Sequence, residues 1–136
     1  MSVEFFGVST YPKAIVIRAS EKIQGIEFFS PPEYSQQIGL MTRQVGYIVP
    51  AHIHNKVERV ITSTQEVLIL RRGNCLVTLF NSEGESEEKI YLNSGDAILL
   101  AHGAHKIEML SECEILEIKQ GPYAGKNDKT QIEVVP

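Results

Sequence analysis

Apolar and polar positions alternate along this chain in short runs of four to eight residues, each closed by turn-forming residues. Val3 to Val8, Ala14 to Arg18 and Ile23 to Phe29 are β-branched and aromatic runs. Ile38 to Val45, Glu66 to Leu70, Cys75 to Phe80, Lys89 to Leu92, Ala97 to Leu100, Lys106 to Leu110 and Glu114 to Ile118 repeat the texture. Between them lie Ser9 to Pro12, Arg72 to Asn74, Asn81 to Glu85, Asn93 to Asp96 and Ala101 to Ala104, all rich in Gly, Asn, Asp, Ser or Pro. No segment carries the period of a long amphipathic helix. Strands at this close spacing predict an all-β antiparallel sandwich or barrel rather than βαβ units. Ser30 to Gln37 is expected to be a loop, a flap over one end of the barrel. The tail 121–136 is expected to end in an extended piece, Gln131 to Val135, packed over a sheet edge.

At 136 residues the chain is expected to form one domain, 1–136, with strands in 1–30 and an edge segment in 121–136. A chain of this length buries enough surface to hold a core without disulfides or a structural metal. Thirteen basic residues against seventeen acidic ones give a net charge of −4, and no basic cluster exceeds Arg71-Arg72. That balance excludes a nucleic-acid backbone as partner. No apolar run approaches the roughly 18 to 20 residues of a membrane-spanning helix, so no membrane partner is expected. The first residues, MSVEFFGVSTYPKA, have neither a cationic start nor a long apolar stretch. Cys75 and Cys113 are too few for a disulfide framework and read as small hydrophobes in strands. A cytoplasmic, reduced protein is the expectation.

Candidate chemistry gathers at the histidines. Residues two apart on an extended chain project to the same side, so His52 and His54 present both imidazoles to one point. Imidazole is the commonest metal ligand, and two His with one carboxylate leave coordination positions open. Alternation in His105-Lys106-Ile107-Glu108-Met109 sets His105 with Ile107 and Met109, facing the interior. A metal shared with His52 and His54 would satisfy its ring nitrogens. Gln44 shares strand parity with His52 and His54. Tyr47 and Tyr123 are candidates to stack on a sugar ring, and Arg43, Arg59, Arg71 and Lys119 to contact anions or hydroxyls.

These motifs resemble the cupin superfamily. Gly46, five residues and His52-Ile53-His54 match the opening of its first motif, and Glu66, six residues and Gly73 match its close. Eleven residues, Asn55 to Gln65, separate the two halves where the family's pattern has three or four, and they read as a longer hairpin excursion. Glu58, at the family's usual spacing from His54, is the alternative carboxylate. In the second motif Gly95-Asp96 stands at the start, Ala101 replaces a Pro, and Gly103-Ala104-His105 is one residue shorter than the pattern. Glu108 stands in place of an Asn, and His102 is an outside candidate for the last ligand. The motifs span 46–108. The resemblance implies a double-stranded β-helix, a jelly-roll barrel. It also implies a divalent metal (Fe, Mn, Ni or Zn) at the mouth, held by His52, His54, Glu66 and His105.

The chain is further similar to small single-domain cupins associated with polysaccharide or sugar biosynthesis. That similarity implies a polar, sugar-type ligand, and Arg43, Gln44 and Tyr47 are the residues expected to contact it. The first expectation for activity is an isomerase or epimerase in which Glu66 and His105 carry protons. An Fe(II)-dependent oxygenase and a non-enzymatic binding protein are the alternatives, since one fold hosts many functions. A homodimer is expected, because edge strands of a small barrel need covering.

Overall fold

The computed structural model describes residues 2–136. Ten strands follow in order: β1 (Val3–Val8), β2 (Tyr11–Ile17), β3 (Gly25–Phe28), β4 (Gly39–Thr42), β5 (Glu66–Arg72), β6 (Asn74–Phe80), β7 (Ser86–Asn93), β8 (Ala97–Leu100), β9 (Ala104–Met109) and β10 (Glu114–Lys119). A single 3₁₀ turn at Gly125–Asn127 is the one helical element among the described residues. All pairings are antiparallel. They build a five-stranded sheet ordered β1-β2-β8-β5-β10, a three-stranded sheet ordered β7-β6-β9, and the hairpin β3-β4. Among the described residues no helix is long and apolar enough to cross a membrane.

Alternation explains the core. Ala14, Val16, Leu68, Leu70, Ile98 and Leu100 point from the five-stranded sheet toward Cys75, Val77, Leu79, Ile90 and Leu92 of the three-stranded one, and all are buried. The intervening residues Ile15, Ile17 and Leu99 are buried on the opposite face, under Tyr34 and Ile38. Strands β2 and β8 are therefore covered on both sides, which is why their sequences read as nearly continuous apolar runs.

The segment over that outer face is Ser30 to Gln37. It lies against the side of the five-stranded sheet, where Tyr34 donates its hydroxyl to the Pro12 carbonyl at 2.6 Å and sets its ring edge-on to Tyr11. The expected flap over a barrel end is corrected: apolar Tyr34 and Ile38 draw the loop onto apolar Ile15 and Leu99. Gln131 to Val135 forms no strand, and one backbone bond, Val135 N–H to the Gly84 carbonyl at 2.8 Å, fixes it beside the β6–β7 turn. Strand β2 begins at Tyr11, inside the expected turn, while β3 and β4 are shorter than their apolar runs.

The turns carry the sharpest backbone demands. Gly73 links β5 to β6 with φ +96°, and a Cβ there would collide with the Glu112 carbonyl and the Cys113 sulfur. Gly95 opens the turn into β8 with φ +91°, and a Cβ would stand 2.7 Å from that of Ala19.

Residues 43–64 belong to neither sheet. Every one of these 22 residues is exposed and none is in a strand, so they form a long arm between β4 and β5. The expected hairpin excursion over Asn55 to Gln65 is corrected: no strand of the same chain runs alongside it, and the unpaired stretch begins well before it.

Candidate functional site between β5 and β9

Two of the expected site residues meet. Glu66 begins β5 and pairs with Leu100 of β8 and Lys119 of β10. His105, near the start of β9, pairs with Leu79 of β6 and thus shares the core-facing side of its sheet. Its interior orientation is the one expected, but at the rim: its side chain is 32% exposed against 15% for Glu66. His105 Nε2 lies 3.2 Å from Glu66 Oε1, a hydrogen-bonded ion pair when the imidazole is protonated. That bond holds the Glu66 carboxyl below the usual carboxylate range against the opposing effect of burial, and the charges of Lys119 and Lys129 add to it.

The pair opens into a cleft of about 660 Å³. Its walls are β9, the ends of β5 and β10, and the tail at 128–134. Glu66, His105, Lys119, Asp128, Lys129 and Thr130 give it a polar lining, and Phe80, Leu100 and Ile107 give it an apolar floor. Lys119 Nζ stands 3.6 Å from Asp128 Oδ2 and 5.7 Å from the Tyr123 ring centre. Two carboxylates, two imidazoles and three ammonium groups around an apolar floor suit a small polar molecule that offers hydroxyl and carbonyl oxygens. The lysines of the tail, Lys129 above all, were missed in the sequence. The tail carries no periodic signal that would place it over β5.

His102 also lines the cleft. Its ring stacks on Tyr11 at 4.1 Å between centres, and its Nε2–H donates to the Tyr11 carbonyl at 3.1 Å. It therefore ties β2 to the β8–β9 turn, a structural contact distinct from Glu66 and His105.

His52 and His54 lie together on the arm, ring centres 5.3 Å apart, as their spacing requires. Nδ1–H of His52 donates to the Pro50 carbonyl at 2.7 Å. Arg43, Gln44 and Tyr47 stand at the arm's root, the Arg43 guanidinium 4.4 Å from the Tyr47 ring centre, and none lines the cleft. Glu58 is exposed on the same arm. Among the described residues no strand pairs with the arm.

The four residues that the family resemblance implies as ligands thus fall into two pairs. Among the described residues no group of three or more His, Cys, Asp or Glu side chains converges as a metal site. The chain by itself does not fit the divalent metal. Comparison with protein-family models, with curated proteins and with solved structures returns no match.

Proposed function

We propose that this chain is a cupin-type jelly-roll barrel that takes a polar, sugar-type small molecule into the cleft at Glu66 and His105 and isomerises or epimerises it. The observation that carries the reading is the Glu66–His105 contact of 3.2 Å at the rim of the cleft, with Lys119 among the lining residues. Both reactions take a proton from carbon beside a carbonyl; isomerisation returns it to the neighbouring carbon and epimerisation to the same carbon on the opposite face. A carboxylate bonded to an imidazole holds and moves such a proton. The lysine ammonium groups face the oxygen on which charge develops. The two-sheet architecture with tight turns at Gly73 and Gly95, where the two motifs place glycine, supports the barrel assignment.

The test is NMR of phosphosugars and nucleotide sugars in deuterated water with the native protein, supplied with Fe, Mn, Ni or Zn in turn. Conversion or solvent deuterium incorporation at one carbon is expected, reduced at least about 100-fold in Glu66→Gln. Melting shifts without any turnover would replace the enzyme with a binding protein. Neither turnover nor a shift across the panel would overturn the reading.

A further inference from the structure

The charged groups of the cleft do not balance. Lys106, Lys119 and Lys129 line it against Glu66 and Asp128, an excess of positive charge in a chain whose net charge is −4. Glu66 is engaged by His105 at 3.2 Å, and Asp128 faces Lys119 at 3.6 Å. Among the described residues Lys129 pairs with no carboxylate, although its charge and that of Lys119 both reach Glu66. Ammonium groups gathered around one cleft attract an anion into it.

The backbone that carries Lys129 is equally short of partners. The tail is fixed at Asp128, whose N–H donates to the Gly125 carbonyl at 3.1 Å, and at Val135, whose N–H donates to the Gly84 carbonyl at 2.8 Å. Gly84 admits the tail there, since a Cβ would collide with the Glu133 carbonyl. Between those two points the N–H groups of 129–134 have no acceptor among the described residues. Thr130 and Gln131 line the cleft beside Lys129 all the same. A stretch held at both ends, with backbone donors and one ammonium group unspent, offers what an oxyanion requires: N–H donors from several directions.

The kind of donor selects the anion. Among the described residues no arginine lines the cleft, so the planar fork that matches a carboxylate is missing. A lysine ammonium is a compact point charge. Together with backbone N–H groups it suits the spread oxygens of a phosphate group. The apolar floor at Phe80, Leu100 and Ile107 is left for the carbon skeleton that carries the phosphate.

We propose that the tail is the phosphate anchor of the cleft: the Lys129 ammonium and the free N–H groups around it hold the phosphate of a phosphorylated sugar-type substrate, whose carbonyl end then lies against Glu66 and His105. The anchor stands on the unpaired lysine, the unspent backbone donors and the charge of the cleft. The placement of the carbonyl end rests in addition on the functional reading above. Lys119, on β10 and already facing Asp128, is left to the oxygen on which charge develops.

Inorganic phosphate is titrated into the native chain at low ionic strength and followed by calorimetry and by 15N amide spectra. One saturable site is expected, with shifts at the amides of Lys129, Thr130 and Gln131. Lys129→Gln is expected to weaken phosphate at least about tenfold. Lys126→Gln removes the same charge from the same tail but outside the cleft, and is expected to leave the affinity unchanged. Both side chains are exposed, so both variants are expected to keep the native melting transition. Equal weakening in the two variants, shifts centred on Arg71 and Arg72, or no saturable binding of phosphate or pyrophosphate would each overturn the anchor. Tighter binding of pyrophosphate assigns the group to a nucleotide-linked sugar, and tighter binding of phosphate to a sugar monophosphate.

Turnover separates the anchor from the reaction. Phosphate bound as expected, with no sugar of the panel converted, keeps the anchor and overturns the isomerase reading. Conversion confined to unphosphorylated sugars keeps the reaction and overturns the anchor. With a sugar phosphate that is converted, Lys129→Gln is expected to raise KM about tenfold at nearly constant kcat, the mark of a contact made equally in ground and transition states. A loss confined to kcat would place Lys129 at the reacting oxygen instead and overturn the anchor.

Discussion

Arg18 and Asp96 form the best-buried ion pair of the body, with Arg18 Nη1 3.0 Å from Asp96 Oδ2. Asp96 is buried in the turn that leads into β8, where it also accepts the backbone N–H groups of Asn93 at 2.9 Å and Ala19 at 2.8 Å. Arg18 continues to Glu4 and to the Tyr91 carbonyl. One carboxylate thus ties the end of β2 to the β7–β8 turn. Asp96→Ala leaves two backbone donors and a half-buried guanidinium short of an acceptor, and a loss of about 3 kcal/mol is expected. Urea titration should show a lower midpoint with an unchanged slope.

The same guanidinium sets an acid limit. Its hydrogen bond holds the Glu4 carboxyl below its ordinary 4.5, against burial, and its charge adds to the effect. A folded value below the unfolded one means Glu4 stabilises the native state fully above pH 4.5, and the contribution disappears as pH falls through the lowered value. Glu4→Gln should flatten the stability–pH curve in that acid window and leave its slope near pH 7 unchanged, as read by thermal melts at stepped pH. Because Glu4 is one-third exposed, added salt should shrink the difference.

Gly73→Ala should be among the costliest single-atom additions to this chain. The positive φ alone strains an L-residue by about 1–2 kcal/mol, and the collision with the Glu112 carbonyl adds to it. Calorimetry should show a clear fall in Tm, while Gly46→Ala, which meets nothing within 4 Å, should lose only the conformational part.

Tyr34→Phe removes the hydroxyl that satisfies the buried Pro12 carbonyl, so a loss of about 1–3 kcal/mol is expected in chemical denaturation. Burial also pushes the Tyr34 phenol up to about 12, so in ultraviolet titration the native chain should retain a tyrosine that ionises only well above pH 10, absent from the variant.

Strands β6 and β8 were legible because Cys75 to Phe80 and Ala97 to Leu100 are short apolar runs closed on both sides by turn residues. The side His105 faces was legible because β9 keeps period two beside β6. What alternation does not encode is the neighbour across the ladder. Ile38 to Val45 reads as one run, yet pairing stops at Thr42, because β3 supplies a partner no further than Gly25. The same gap leaves His52 and His54 on one side of the arm with no strand among the described residues to fix where that side points. Lys129 was invisible for a different reason, because the tail is placed by single contacts such as Val135 to Gly84 rather than by a repeating pattern.

The last residue before β5 is held far more firmly than the arm it terminates. The Gln65 N–H donates to the Gln120 side chain at 2.7 Å, its own side-chain oxygen accepts the Gln36 N–H at 3.0 Å, and Gln120 continues to Ser35. These amides clamp the strap over the sheet, the end of β10 and the foot of the arm into one rigid mount. Any displacement of 43–64 would therefore end at Gln65 before reaching Glu66. In relaxation measurements on isolated chains, order should rise over a single peptide step, from a whip-like Thr64 to a Gln65 as stiff as the sheet.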